Sequence, residues 1–157
     1  MDLTIPPADL ALKAKAKHFA ETVLFPQEEP LEHDGHLSDA TKARLRQAVA
    51  DNGFGGINHA KEHGGQGFTL FQQTLINEEL GKCTGALWAV VAHPAIPLRQ
   101  GTAEQIRDYL IPSCRCTRRG AFAITEEGAG SDPRRVQTRA DRRNGKYYLS
   151  GEKWFVT

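Results

Sequence analysis

The chain has few cysteines, no long apolar run and almost no excess of charge, and each shortage removes a class of protein. Three cysteines in 157 residues are an odd number and too few for a disulfide framework. No apolar stretch reaches the length of a bilayer span, so no membrane span is expected. Twenty Lys and Arg stand against nineteen Asp and Glu, a formal net charge of +1. Nucleic-acid binding needs a concentrated basic face, and this balance makes no case for one. The short basic runs at Arg115, Arg118 and Arg119 and at Arg134 and Arg135 read as solvated surface. The opening MDLTIPPADLALKAKAKHF lacks the apolar core of a secretory signal. Asp2 and Asp9 argue against a transit peptide, so a cytoplasmic location is expected.

What is present is ordinary globular material: 39% hydrophobic and 25% charged residues, enough for one or two small domains with a real core. The first two thirds read as helices. Over Ala8 to Leu24 the apolar stripe is expected to run through Leu10, Ala14, Phe19 or Ala20, and Val23, with Pro26 as its stop. Ser38 is placed to cap a helix over Asp39 to Asn52 that ends at Gly53. Six glycines between Gly53 and Gly67 mark a loop. A third helix follows Thr69, with Glu78 and Glu79 expected to face solvent. Gly85 to Ala92 is apolar nearly all round and predicts a buried helix. Pro94 and Pro97 interrupt the pattern before Thr102-x-x-Gln105, a capping box opening a helix that Pro112 should end.

Beyond Arg119 the period changes to that of strands. Ala121 to Thr125, Val136 to Ala140, Lys146 to Leu149 and Trp154 to Thr157 are the candidates, with Asn144-Gly145 favouring a type I′ hairpin turn. The expected fold class is therefore α+β. An all-α helical domain occupies residues 1–118, and an incomplete antiparallel β-domain of perhaps four strands occupies 119–157.

The chemistry-bearing stretch is AFAITEEGAGSD, Ala121 to Asp132. Glycines at 128 and 130 could admit positive φ and close backbone approach, and successive N–H groups with the Ser131 hydroxyl could cradle a phosphate. A plain tight turn that binds nothing accounts for the local pattern equally well. Cys114-x-Cys116 has no second Cys/His pair at zinc spacing, and His59 and His63 fall in a loop rather than on a helix, so no metal site is expected. Glu78 and Glu79 are adjacent, point to different helix faces and cannot act as a carboxylate pair.

The run from Thr125 to Asp132 resembles the acyl-CoA dehydrogenase signature Thr-Glu-Pro-x-Ala-Gly-Ser-Asp, and Gly151 to Thr157 (GEKWFVT) resembles that family's second segment. Thr138-Arg139-Ala140 and Tyr148-Leu149 fall where the family has its hairpin. Upstream, HGGQG at 63–67, NEELG at 77–81 and GTAEQ at 101–105 match further landmarks in order. The chain departs from the pattern at Glu127, where proline is usual, and at Ser113 to Arg119, which lacks the usual Gly-acidic pair. The resemblance implies FAD as cofactor, with Phe122, Ile124 and Thr125 lining the flavin ring and Gly130 and Ser131 near its pyrophosphate. It places Phe155, Val156 and Thr157 against the ring, with Thr157 near flavin N5, and Ser131 also beside the acyl-CoA substrate. It implies a flavoprotein oxidoreductase of fatty acid metabolism that dehydrogenates acyl-CoA thioesters and passes electrons to an electron-transferring flavoprotein, as a homo-oligomer when full length. The family's catalytic base belongs to a C-terminal portion for which this sequence has no counterpart. No catalytic residue is therefore assigned, and the isolated chain is expected to be inactive. The alternatives are a non-catalytic truncated remnant or interaction module, or a related flavin oxidase or monooxygenase of the same fold.

Overall fold

A computed structural model describes residues 4–91 and 93–156. They form two compact units, Met1–Arg119 and Gly120–Thr157. The first is helical and the second carries a two-stranded antiparallel sheet, so the fold is α+β.

In the helical unit, α1 (Pro7–Phe19) packs along α4 (Leu70–Leu80), and α3 (Asp39–Asp51) packs on α5 (Gly85–Val91). The buried stripe of the first helix is rotated from the expected one. Leu10 and Ala14 are exposed, and the core side is Ala16, Phe19, Ala20 and Leu24, an i, i+3, i+4, i+8 series. Pro26 does not stop the chain's helical course. A π-turn at Ala20–Leu24 and a 3-10 turn at Phe25–Gln27 lead into α2 (Glu28–Asp34), which closes on Gly35. The same device recurs downstream. α6 (Ala103–Gln105) passes through a π-turn at Ile106–Leu110 into α7 (Ile111–Cys114), so Pro112 sits inside the helical run that it was expected to end. Proline removes one i→i−4 hydrogen bond and collides with the carbonyl behind it. A widened turn just before the ring absorbs both faults without ending the run.

The expected caps are in place. The Ser38 hydroxyl accepts the Thr41 N–H at 3.1 Å, and Thr69/Gln72 and Thr102/Gln105 both form capping boxes. α5 buries Leu87, Val90 and Val91, while Trp88 is half-buried and Ala89 exposed; Ala92 lies outside the described residues. The core joins Phe19, Leu24, Leu45, Val49, Phe54, Ile57, Ile76, Leu80 and Leu87, with the Phe19 and Phe54 rings 5.2 Å apart. Phe54 and Ile57 come from the glycine-rich segment, which is therefore part of the core rather than a surface loop.

Glu79 corrects the solvent-facing expectation for its helix. It is buried, joined to Lys82 and 3.7 Å from Lys13, while its neighbour Glu78 holds Lys13 at 2.7 Å. The Lys82 ammonium holds the Glu79 carboxyl below its ordinary range, which keeps the buried group ionised and paired.

In the second unit, β1 (Arg139–Arg143) pairs with β2 (Lys146–Ser150) in the register Arg139↔Ser150 to Arg143↔Lys146. Asn144 and Gly145 take φ of 51° and 74°, the conformation a type I′ turn requires. The strand expected over Val136 to Ala140 begins only at Arg139 and runs on to Arg143, and the other two expected strands are absent among the described residues. Ala121 to Thr125 and Trp154 to Val156 are extended or irregular, and Phe155 has φ of 53°. They make too few ladder bonds for strands: the Trp154 N–H to the Thr125 carbonyl at 2.9 Å is the backbone bond that joins them.

Candidate functional site

The second unit is organised around one carboxylate. Glu126, 8% exposed, accepts the Gln137 N–H at 2.7 Å on one oxygen. Its other oxygen accepts the Thr138 N–H at 2.9 Å and the Lys153 ammonium at 2.8 Å. Lys153 also donates to the Ile124 carbonyl at 3.0 Å, and the Trp154 N–H donates to Thr125. Reciprocal backbone bonds between Glu126 and Ala129 then turn the chain toward Gly130 and Ser131. Three stretches of sequence, 124–129, 137–138 and 153–154, thus meet at a single ion pair. A buried charge is tolerable only when paired and hydrogen-bonded, and this one is both.

Those contacts, Lys153 first, hold the Glu126 carboxyl down to about 2 from an ordinary value of 4.5. The sign follows from linkage. A depressed carboxyl contributes its stabilisation above its ordinary value and loses it as the pH falls toward about 2. Acid titration followed by the amide shifts of Gln137 and Thr138 should give a midpoint near 2. In Lys153→Met the midpoint should move up toward the ordinary value. A wild-type midpoint near 4.5 would count against the pairing.

Around this junction the residues proposed for the flavin are largely bare. Phe122 is 65% exposed and Phe155 85%, Ile124 and Val156 are also exposed, and Thr125 is half-buried. The Trp154–Thr125 bond brings the segments of Ile124–Thr125 and Phe155–Val156 side by side. Gly130 and Ser131 are exposed beyond the Glu126–Ala129 turn, and Thr157 lies outside the described residues. One expectation is corrected here: neither Gly128 nor Gly130 takes positive φ. A Cβ at either would meet nothing within 4 Å, so what glycine provides is an unobstructed backbone surface. Glu127, in the usual proline position, is exposed, and backbone hydrogen bonds close the turn.

Glu126 and Lys153 were not among the residues singled out from sequence, although both lie inside the quoted motifs. Nothing local marks them, since Glu126 stands beside Glu127 and Lys153 beside Glu152. His59 is buried and its Nε2–H donates to the Pro94 carbonyl at 3.0 Å, and His63 belongs to a 3-10 turn at Lys61–His63. Among the described residues no group of His, Cys, Asp and Glu could hold a metal ion. Cys114 and Cys116 are free thiols whose pKa values burial pushes up, that of Cys114 to about 11, which makes them poor nucleophiles. No helix among the described residues is long and apolar enough to cross a membrane.

Comparison with known proteins gives this geometry its context. Residues 6–117 match the model of the acyl-CoA dehydrogenase N-terminal domain, and residues 121–157 match that of the middle domain. A 3-(aryl)acrylate reductase of Clostridium sporogenes is 34% identical over 93% of this chain and 39% of its own length. A probable acyl-CoA dehydrogenase of Bacillus subtilis is 30% identical over 100% of this chain and 42% of its own. The solved structure of an acyl-CoA dehydrogenase complexed with FAD from Bacillus anthracis superposes with a TM-score of 0.80 at 26% identity, covering 97% of this chain and 27% of that one. The chain thus spans about two fifths of the length of the curated relatives it matches. The two domain models, matching residues 6–117 and 121–157 in order, make this chain a member of the acyl-CoA dehydrogenase family.

Proposed function

We propose that the second unit carries flavin-binding segments of an FAD-dependent oxidoreductase acting on the Cα–Cβ bond of acyl-CoA thioesters, with dehydrogenation as the direction and an electron-transferring flavoprotein as acceptor. The observation that carries the reading is the junction at Glu126 and Lys153. It holds Ile124–Thr125 beside Trp154–Phe155 and leaves Phe122, Ile124, Phe155 and Val156 uncovered. Bare aromatic and aliphatic side chains fit the apolar body of an isoalloxazine, and the open backbone at Gly128 and Gly130 with the Ser131 hydroxyl fits a pyrophosphate. FAD, when bound, supplies the two-electron acceptor, and this chain's residues orient it and keep water from its apolar face. Ser131 is proposed to serve the pyrophosphate and the thioester substrate alike. The helical unit, residues 1–118, is proposed as a domain separate from the β-domain at 119–157.

Ligand sites usually bury most of a ligand's surface, whereas Phe155 is 85% exposed here. FAD binding by these 157 residues should therefore be modest, with a Kd weaker than about 1 µM. Most of the flavin should then be lost on gel filtration. Titration with FAD, read by flavin anisotropy and by the flavin band after desalting, measures both. Ser131→Ala should weaken binding about tenfold, the cost of one hydrogen bond to a charged group. No spectral change up to millimolar FAD would remove the reading.

A further inference from the structure

The geometry points to Glu126, acting through Lys153, as a positioning residue for the flavin: one ion pair sets the spacing of the two segments that would face the ring. This inference rests on the flavin reading above. It concerns two residues that would not themselves touch the cofactor.

Ile124 and Trp154 are both tied to the same residue of the pair, Lys153. The Lys153 ammonium reaches the Ile124 carbonyl at 3.0 Å and Glu126 at 2.8 Å, so its position fixes one segment by its backbone. Lys153 directly precedes Trp154, whose N–H closes on the Thr125 carbonyl at 2.9 Å, so the same side chain sets the register of the second segment. Glu126 adds the third side by taking the Gln137 and Thr138 N–H groups, which anchors both segments to the base of the β1–β2 hairpin. The two extended segments have little else between them, since neither forms a strand. Register in a weakly laddered pair is poorly specified by backbone bonds alone. A buried ion pair with directional hydrogen bonds specifies it, and specifying a unique arrangement is the best-attested use of such a pair.

A merely structural pair and a positioning pair differ in what its loss does to binding by folded molecules. In Glu126→Gln the side chain keeps its shape, but its amide nitrogen must face a donor: an N–H or the Lys153 ammonium. Lys153→Met keeps the stem and removes the donor. The experiment measures FAD affinity by titration, and amide exchange residue by residue, for the wild-type chain, both single variants and the double variant. Asp141→Asn, which disturbs the surface pairs with Arg139 and Arg143, serves as control. Each single variant should weaken FAD binding at least tenfold and lose amide protection at Trp154. Exchange across Arg139–Ser150 should be unchanged in each. The double variant should be no worse than the weaker single, because the two residues act as one unit. Lys153→Arg, which keeps the charge, should recover part of the affinity. Wild-type binding with unchanged affinity in Glu126→Gln overturns the positioning role. If the wild type itself takes up no FAD, the flavin reading fails first and the inference falls with it, a result distinct from the previous one.

Discussion

Gly65→Ala should lower the melting temperature of the helical unit by about 10–20 °C, corresponding to about 3 kcal/mol. A Cβ at residue 65 would collide with the His59 carbonyl oxygen and come within 2.6 Å of the Gly56 carbonyl oxygen. Neither acceptor is free to retreat. The His59 carbonyl holds the Gly67 N–H at 2.9 Å, and the Gly56 carbonyl holds the His59 N–H at 3.0 Å and the Gln66 N–H at 3.3 Å. Relief of the clash therefore breaks hydrogen bonds worth about 1 kcal/mol each and strains a backbone that cannot rotate away. The same loop inserts Phe54 and Ile57 into the core, both nearly inaccessible, so its displacement opens space that the helices cannot refill. Gly85→Ala is the control. A Cβ there meets nothing within 4 Å, and the change should be neutral or slightly stabilising. Far-UV circular dichroism during heating measures both. A Gly65→Ala shift no larger than the control's would show that the loop relaxes freely.

Gly65 also shows what the sequence made legible and what it did not. The six glycines announced a loop, but not that the loop is packed; glycine density signals backbone freedom and close approach alike, and only the neighbours decide between them. Features decided within a few residues were readable: the Ser38 cap, the two capping boxes and the Asn144-Gly145 turn all depend on local hydrogen bonds or local φ. Features decided across the chain were not. Glu79 reads as solvated in its own helix and is buried because α1 brings Lys13 against it. Prolines 26 and 112 read as stops because the rule assumes an undistorted i→i−4 ladder, and each is preceded by a π-turn that alters that ladder. The segments proposed for the flavin were singled out through the family resemblance. Glu126 and Lys153 lay in the same motifs, yet their pairing spans 27 residues and has no periodic signature.

Gly151→Ala should have the largest effect in the second unit, for a reason that involves the same junction. Gly151 follows β2 with φ of 151°, and its α-carbon passes directly over Thr138. A Cβ there would collide with the Thr138 hydroxyl oxygen and approach its Cα and Cβ to 2.7 Å. The hydroxyl itself is the lesser obstacle, because it can turn about the Cα–Cβ bond. The backbone is the obstacle: the Thr138 N–H is committed to Glu126, and Arg139, one residue on, pairs with Ser150, one residue before the glycine. The exit of β2 must therefore swing outward, and Lys153, two residues later, is carried away from Glu126. Overpacking of this kind costs about 1–3 kcal/mol locally. Amide shifts of Gln137, Thr138 and Trp154 should move, FAD affinity should fall by about tenfold for every 1.4 kcal/mol of the strain relieved by opening the junction, and melting of the helical unit should stay unchanged. Adding Thr138→Ala removes the hydroxyl and methyl but leaves the Cα and Cβ in place, so the double variant should regain only part of the lost affinity. Full recovery in the double variant would show that the side chain alone, and not the close backbone approach, demands glycine at 151.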